Sequence, residues 1–429
     1  MPESLRRVAV IGSARIPFAR SNTRYVDAGN ADMLTAAFAA LVGRFGLKGV
    51  QLGEVAAGAV IKHPRDWNLT REASLGAGLH PHTPAYDVQR ACGTSLTTAI
   101  QIGQRIALGE IDVGIAGGVD TTSDVPIGYS RALNRIALDS ARGRTWGARI
   151  KPWLTLRPAH LKPATPGIVE PRTGLSMGEH CERMAKDWRI GRAEQDELAY
   201  RSHMNAAAAW KSGFYDDLVV PFAGLERDNN VRADTTLSKL AALKPVYDRS
   251  AAGTLTAGNS TPLTDGASCV LLASEAWAKS RGLAVQAYLT HWSVAAVDFA
   301  GISAPPEGLL MAPTYAVPAM LDRAGLTLQD FDIYEIHEAF AAQVLCTLAA
   351  WNSDDYCRST LKRDGALGGI DRSKLNPRGG SVALGHPFAA TGTRIVGTLA
   401  KQLQQRGAGR GLISICTAGG MGVTAILER

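Results

Sequence analysis

Apolar and polar positions along this chain follow two textures. The apolar run Val8–Ile11 reads as a buried strand, followed by Gly12 and a turn through Pro17. Ala31–Phe45 is Ala-rich with apolar positions at helical spacing. Val55–Ile61 and Ala85–Val88 are short apolar runs of strand length. A turn at Arg90–Gly93 then leads into a predicted helix from Thr94 to Leu108. A strand at Val113–Ala116 follows and runs into Gly117-Gly118. Alternating strands and helices of these lengths predict α/β layers. After Asp124 the texture changes. Charge and Trp become frequent, strand-like runs are few, and helices are predicted at Ser176–Trp188 and Arg192–Ser212. The α/β texture resumes at Thr254–Ser274, so 125–250 reads as a mostly helical insertion. The end of the chain echoes the beginning: Gly385-His386-Pro387 precedes a helix through about Gln405, a strand at Gly411–Cys416 and Gly419-Gly420. Two similar halves would place Cys92 and His386 at equivalent turns facing each other.

Composition narrows the picture. At roughly 100–200 residues per domain, 429 residues suggest two or three domains with a sizeable core. Lys and Arg total 46 against 39 Asp and Glu, a formal charge of +7, with one basic cluster between Arg142 and Lys162. Such an excess suits either a solvated surface or an anionic ligand such as a nucleotide phosphate. Nucleic-acid binding is not expected, because no recognised motif and no basic-aromatic stripe occurs. The six cysteines lie far apart without a CxxC pair, which predicts a reducing, cytoplasmic setting. The first residues read as no secretory leader. No apolar stretch approaches the roughly 18 residues that span a bilayer.

Four residues could carry chemistry. Cys92, in VQRACGTSLTTA, sits between a strand and a helix, where free N–H groups and the helix dipole favour a thiolate. On its own, a Cys before a helix is more often structural. His386, in GGSVALGHPFAATGTR, is held on a Gly- and Pro-constrained turn, a posture that suits a base or an ordinary loop. Cys416 ends a strand in ISICTAGGMG, whose Gly pair could bring backbone N–H groups to an anionic oxygen. His337, in YEIHEAFAAQ, is predicted in the first turn of a helix, where the dipole keeps it neutral and able to polarise a carbonyl. Glu338 would complement that helix terminus. None of the four has a neighbouring ligand at finger or HExxH spacing, so no metal site is expected.

Taken together, RACGTS, AGGVDTTSDVP, TGLSMGEHCERMA, RADTTLSKLAALKP, AGNSTPLTDGAS, IHEAFAAQ, GGSVALGHPFAATGTR and CTAGGMG resemble the thiolase family in order and spacing, from about Val8 to Leu427. The HEAFA and CTAGG forms, where most thiolases carry NEAFA and CxGGG, are similar to the β subunits of fatty-acid oxidation trifunctional complexes. The resemblance implies a five-layer α/β/α/β/α sandwich of two similar halves. It divides the chain into 1–124 with 251–284, an inserted loop domain at 125–250, and 285–429.

It also implies roles. Cys92 would accept the acyl group, His386 would take its proton, and Cys416 would exchange a proton with the α-carbon. One oxyanion site would be formed by His386 with a water held by the HEAFA residue, here His337 where Asn is usual, which would either contact the oxygen directly or alter the position of that water. Backbone N–H groups of Cys92 and Ala418 would form the other, provided the turn needs no positive φ at Ala418. Thr261, Met177 and Arg232 would contact coenzyme A. Coenzyme A and acyl-CoA are expected as substrates, with no permanently bound cofactor. A homodimer or homotetramer is implied, with a hydratase/dehydrogenase α subunit as a candidate partner. Thiolytic cleavage of 3-ketoacyl-CoA in β-oxidation is the leading expectation. Biosynthetic acetoacetyl-CoA formation and a non-catalytic CoA-binding subunit are the alternatives. Ketoacyl synthases share the fold, but Cys416 argues against them.

Overall fold

The computed structural model describes residues 5–429. Ten strands are formed: β1 (Val8–Arg15), β2 (Ala19–Arg20), β3 (Glu54–Ala57), β4 (Ala85–Asp87), β5 (Val113–Asp120), β6 (Thr264–Ser274), β7 (Ala287–Ala296), β8 (Ile333–Ile336), β9 (Arg410–Thr417) and β10 (Met421–Glu428). Their order is β4-β3-β5-β6-β1-β7-β10-β9-β8, with β2 beside β6. Read outward from the β1–β7 seam, both halves run first strand, last strand, next-to-last strand, then the early parallel strand. The first half adds β4 outside. The repeat suggested by the two Gly-rich turns is thus written in the sheet order.

Helices cover the sheet from three sides. In the first half these are α1 (Asn30–Arg44), α2 (Leu69–Gly76) and α3 (Thr94–Ala107). The insertion contributes α4 (Arg131–Arg142), α5 (Trp146–Ile150), α6 (Met177–Asp187), α7 (Arg192–Lys211) and α8 (Leu237–Ala241). The remainder are α9 (Glu275–Ser280), α10 (Pro313–Ala324), α11 (Ala341–Trp351), α12 (Asp354–Ser359), α13 (Ser381–Leu384) and α14 (Thr391–Arg406). One apolar core packs α1 and α2 on the outer face of the first half, and another packs α10 and α11 outside the second. Between them, Leu96, Ile100 and Ile106 of α3 meet Ile395, Leu399 and Leu403 of α14, together with strand residues of both halves. The result is five layers, with α3 and α14 in the middle. These two helices approach closely: a Cβ on Gly392 would overlap the Leu96 backbone.

Several predicted boundaries shift. The first strand does not stop at Gly12 but continues to Arg15 through a register shift between Val10 and Gly12. Val55–Ile61 is a strand only as far as Ala57. The chain leaves the sheet after Asp120 and returns at Thr264, so the segment before Thr264 is irregular rather than strand. Strands β7 and β10 lie outside the predicted elements, although β10 (MGVTAILE) is mostly apolar and buried along its interior.

The inserted segment is locked to the body by buried polar contacts. Arg15 donates from both terminal nitrogens to Asp228, at 2.6 and 2.7 Å, and Asp228 also accepts from the Phe18 amide and Trp210 Nε1. A bidentate buried pair whose remaining lone pairs are satisfied holds its partners in one orientation. Ala206, Ala209 and Trp210 of α7 then pack on Ala383 and Leu384 of α13, the turn of helix just before His386.

Candidate active site

The turn at Arg90–Gly93 carries Cys92 at the head of α3. Ala91 is held in the left-handed region (φ 42°), a strained conformation for a side-chain-bearing residue that turns the chain sharply just before the thiol. Across the seam, His386 precedes α14. Its Nε2 lies 3.1 Å from Cys92 Sγ and its Nδ1 lies 2.6 Å from Thr391 Oγ1. With Nδ1–H donating to Thr391, Nε2 presents its lone pair to the thiol. The His386 amide donates to Thr264 Oγ1 at 2.6 Å, which fixes the loop against β6. Asp120, at the end of β5, accepts from the amides of Val60, Ile61 and Ala389. It thereby ties the far side of the same loop to the first half.

The ionisation of the pair differs from the sequence expectation. Burial pushes the Cys92 thiol up to about 12, although the amides of Ala418 and Cys92 itself face the sulfur and partly offset this. Burial also pushes His386 down to about 3, with the Arg394 charge adding to the effect. Desolvation outweighs the helix terminus. At neutral pH the resting pair is thiol and imidazole, not thiolate and imidazolium.

His337 lies between β8 and α11 rather than in the helix's first turn. Phe340 is extended (φ −143°, ψ 143°) and bridges to Ser260, so α11 begins only at Ala341. The His337 amide extends the pairing of β8 by donating to the Ser414 carbonyl at 2.8 Å. Its ring is neutral as expected, but the cause is burial first, then the neighbouring His386 and Arg394. The two imidazole centroids are 4.1 Å apart. Donor-capable atoms of Cys92, His337 and His386 all lie within 4.8 Å of one another. Three ligand-type residues therefore converge although no spacing in the sequence placed them together.

A hydrogen-bond chain runs from Arg394 through Ser381 to His337. Arg394 Nη2 donates to Ser381 Oγ at 2.7 Å, and Ser381 Oγ lies 2.8 Å from His337 Nδ1. Arg can only donate, so the Ser381 hydrogen is free to donate to Nδ1. When Ser381 donates in this way, the proton of His337 sits on Nε2, a buried atom without a partner. Glu338 does not complement the helix terminus. It is buried and accepts from Ser202 Oγ (2.7 Å), Asn376 Nδ2 (2.5 Å) and the Val382 amide (3.2 Å), joining the insertion to the segment before His386.

Cys416 is buried near the end of β9, and its thiol is held well above the ordinary value by burial and then by Cys92. In the turn that follows, the positive φ angles fall on Gly419 (75°) and Gly420 (70°), leaving Ala418 outside the left-handed region. Its amide is therefore presented without strain. Glu170 of the insertion accepts from the Gly419 amide at 2.7 Å and pins the turn.

Two adjoining grooves lie beside the loop that carries His386. One, of about 360 Å³, is lined by Thr261, Ser260, Tyr247, Arg20 and Leu263, and Leu263 pairs with the main chain of His386. The other, of about 290 Å³, shares Arg20, Ala257, Ser260 and Pro262 with it and adds Arg232, Lys239 and His203. Thr261 and Arg232 thus stand on adjoining grooves, and at the Arg232 end Lys239 is paired with Asp234 at 2.8 Å. The Thr261 hydroxyl donates to the Ser381 carbonyl at 3.0 Å and keeps its oxygen lone pairs for a ligand. Met177 is not on the groove walls. It packs instead against the core that contains Cys416 and Phe340. Sequence reading missed Ser260, whose buried hydroxyl has no partner and lines both grooves. It also missed Ser381, Thr391 and Arg394, although all three fall inside the GGSVALGHPFAATGTR block.

Comparisons with known proteins agree with this architecture. Residues 8–276 match the thiolase N-terminal domain and residues 290–429 the thiolase C-terminal domain. The 3-ketoacyl-CoA thiolases of Yersinia pestis (strain Pestoides F) and Yersinia pseudotuberculosis (serotype O:1b) are 41% identical over 428 residues, covering 98% of this chain and 97% of theirs. Among solved structures, Bacillus anthracis acetyl-CoA acetyltransferase superposes with a TM-score of 0.81 at 30% identity, covering 99% of both chains. Human mitochondrial 3-ketoacyl-CoA thiolase, solved also with CoA, gives 0.80 at 27% identity, covering 99% of this chain and 98% of that one. The chain belongs to the thiolase family.

Proposed function

We propose that this protein is a 3-ketoacyl-CoA thiolase of fatty-acid β-oxidation, an acetyl-CoA C-acyltransferase that works through an acyl-Cys92 intermediate. The observation that carries the reading is the 3.1 Å contact between Cys92 Sγ and a neutral His386 Nε2. In thiolysis His386 takes the Cys92 proton as the sulfur attacks the 3-keto carbon. The C2–C3 bond then breaks, its electron pair going to C2 as the enolate of acetyl-CoA. Cys416 donates its proton to C2 and acetyl-CoA leaves. The Cys416 thiolate then takes the proton of the coenzyme A thiol as that sulfur attacks the acyl-Cys92 carbonyl, which restores Cys416. Shortened acyl-CoA departs, and Cys92 recovers its proton from His386.

Each oxyanion has a pair of donors. His337 Nε2–H and the newly protonated His386 suit the enolate oxygen, with His337 acting directly where Asn is usual. The amides of Cys92 and Ala418 suit the oxygen on the acylated carbon. Thr261 and Ser260 fit the amide-bearing arm of coenzyme A, and Arg232 fits its phosphates. Met177 would act only by shaping the inner wall. The HEAFA and CTAGG forms support placement near trifunctional-complex β subunits, with a hydratase/dehydrogenase α subunit as partner and a homodimer or homotetramer as the assembly. The six unpaired cysteines fit the cytoplasm. The test is turnover of a 3-ketoacyl-CoA series from four carbons upward with CoA. Thiolysis extending to medium and long chains is expected, and absence of turnover at every length would refute it.

The Ser381 relay makes a separate expectation. Ser381→Ala leaves His337 Nδ1 without its donor, so the tautomer that aims a proton at the substrate is no longer favoured. We expect kcat to fall roughly 10- to 100-fold with KM little changed, since only a donor to the developing charge is weakened. Steady-state kinetics of Ser381→Ala beside Ser381→Thr, which keeps the hydroxyl and recovers most of the rate, provide the check.

A further inference from the structure

The convergence at the nucleophile permits a second chemistry besides acyl transfer. Cys92, His337 and His386 each offer one ligand atom, and these atoms lie within 4.8 Å of one another. Cys92 Sγ and His386 Nε2 are 3.1 Å apart. A tetrahedral Zn²⁺ at its usual bond lengths to N and S sets neighbouring donors roughly 3.3–3.6 Å apart. The Cys92–His386 contact is a little shorter than that and the outer bound a little longer. Small side-chain shifts therefore close all three donors on one ion.

The imidazoles are held in a way that suits coordination. His386 Nδ1 bonds to Thr391 Oγ1 at 2.6 Å and His337 Nδ1 to Ser381 Oγ at 2.8 Å. In each ring Nε2 is the nitrogen left to bind. An Nδ1–H that donates to an outer oxygen is the usual support of a metal-bound His. The Ser381 hydroxyl can give or take the bond to His337, because it has two acceptor lone pairs and a rotating hydrogen. With Arg394 Nη2 on one lone pair and His337 Nδ1–H on the other, the Nε2 lone pair of His337 is freed. That atom is buried and has no partner among the described residues. An Asn here would bring a carbonyl oxygen, which suits Mg²⁺ or Ca²⁺ better than a thiophilic ion. The third ligand therefore comes with the HEAFA form.

We propose that Cys92, His337 and His386 form an inhibitory site for a thiophilic divalent cation of the Zn²⁺ class. The Cys92 thiol releases its proton to solvent as the sulfur–metal bond forms, and no electrons change hands. Three protein ligands leave a fourth position for water. One thiolate and two imidazoles select Zn²⁺ over Mg²⁺ and Ca²⁺, which prefer oxygen ligands. The ion is no cofactor. It occupies the sulfur that must attack the 3-keto carbon and the Nε2 that must take its proton. Cys92, the half-buried member of the set, is the side from which the ion enters. Bound metal silences the nucleophile, and a chelator restores it.

The test is titration of the full-length, metal-free protein with Co²⁺ and Zn²⁺, with Mg²⁺ as the control. A sulfur-to-cobalt charge-transfer band with intense visible absorption reports a thiolate in a four-coordinate site. We expect that band in the wild type, its displacement by Zn²⁺, and no competition from Mg²⁺. Iodoacetamide should reach Cys92 first, since the other five thiols are buried, and protein alkylated at Cys92 should show no band. Saturating Zn²⁺ should slow that alkylation about tenfold or more, because the metal holds the attacking sulfur. Zinc-edge X-ray absorption of the wild type should count one sulfur and two imidazoles. His337→Asn, its fold checked by circular dichroism, should weaken Zn²⁺ binding roughly a hundredfold or more, beyond the usual loss for an outer-shell partner. Absence of the band in the wild type overturns the proposal, as does a band that survives alkylation of Cys92. Alkylation at an undiminished rate in Zn²⁺, a single imidazole in the absorption spectrum, or unchanged affinity in His337→Asn overturns it too. None of these readouts uses turnover, so they stand apart from the test of 3-ketoacyl-CoA cleavage.

Discussion

Cys92→Ser should abolish acyl-enzyme formation and lower kcat by about four orders of magnitude or more, the scale on which removal of an essential nucleophile acts. Burial already makes the Cys92 thiol a reluctant acid, pushed up to about 12, and a hydroxyl in the same place is more reluctant still. Mass spectrometry of enzyme quenched with acyl-CoA checks this: a mass increase in the wild type, none in the variant. Persistent acylation of Cys92→Ser would remove Cys92 from its role. The same buried pair sets the pH profile. Because His386 is pushed down to about 3, the base stays unprotonated as pH falls through the ordinary imidazole range. The acid limb of kcat/KM attributable to this base therefore lies well below pH 6.5. A His386-dependent inflection near 6.5, lost in His386→Asn, would contradict the electrostatics described above.

Cys416→Ala should separate the two halves of the reaction. Proton exchange at C2 of acetyl-CoA with deuterated solvent is expected to fall roughly a thousandfold, within the range for loss of a general acid–base group. Acylation of Cys92 persists, because the Cys92–His386 contact does not pass through Cys416. NMR of acetyl-CoA measures the exchange and mass spectrometry measures the acylation. Unchanged exchange would move the acid to another residue. Loss of both signals would mean that Cys416 holds the site's shape instead.

The same two thiols show how much of this was legible in the sequence. Strand and helix around Cys92 could be read because α3 has strong apolar spacing and its flanking turns carry Gly. The equivalence of the Cys92 and His386 turns followed from their similar surroundings. Strand β7 could not be read, since its buried, half-buried and exposed positions follow no clear period. His337 was placed on a helix because IHEAFAAQ is Ala-rich, whereas the bridge between Phe340 and Ser260 delays the helix to Ala341. The favoured thiolate was the larger error. A helix terminus is local and visible in sequence, but the desolvation that outweighs it comes from segments hundreds of residues apart. The Arg394–Ser381–His337 chain was hidden for the same reason, and so was the Glu170 contact with Gly419. The convergence of Cys92, His337 and His386 could be reached only through the family resemblance.

The close seating of Gly392 on Leu96 has a consequence for how this enzyme fails. One half-sheet supplies the sulfur and the other supplies the imidazole, and the seam between α3 and α14 is what brings them within a hydrogen bond. Heat or denaturant that only parts this seam would silence the chemistry while both half-sheets keep their strands. Inactivation would then precede the loss of secondary structure, and neither half, cut free, would hold a fraction of the activity.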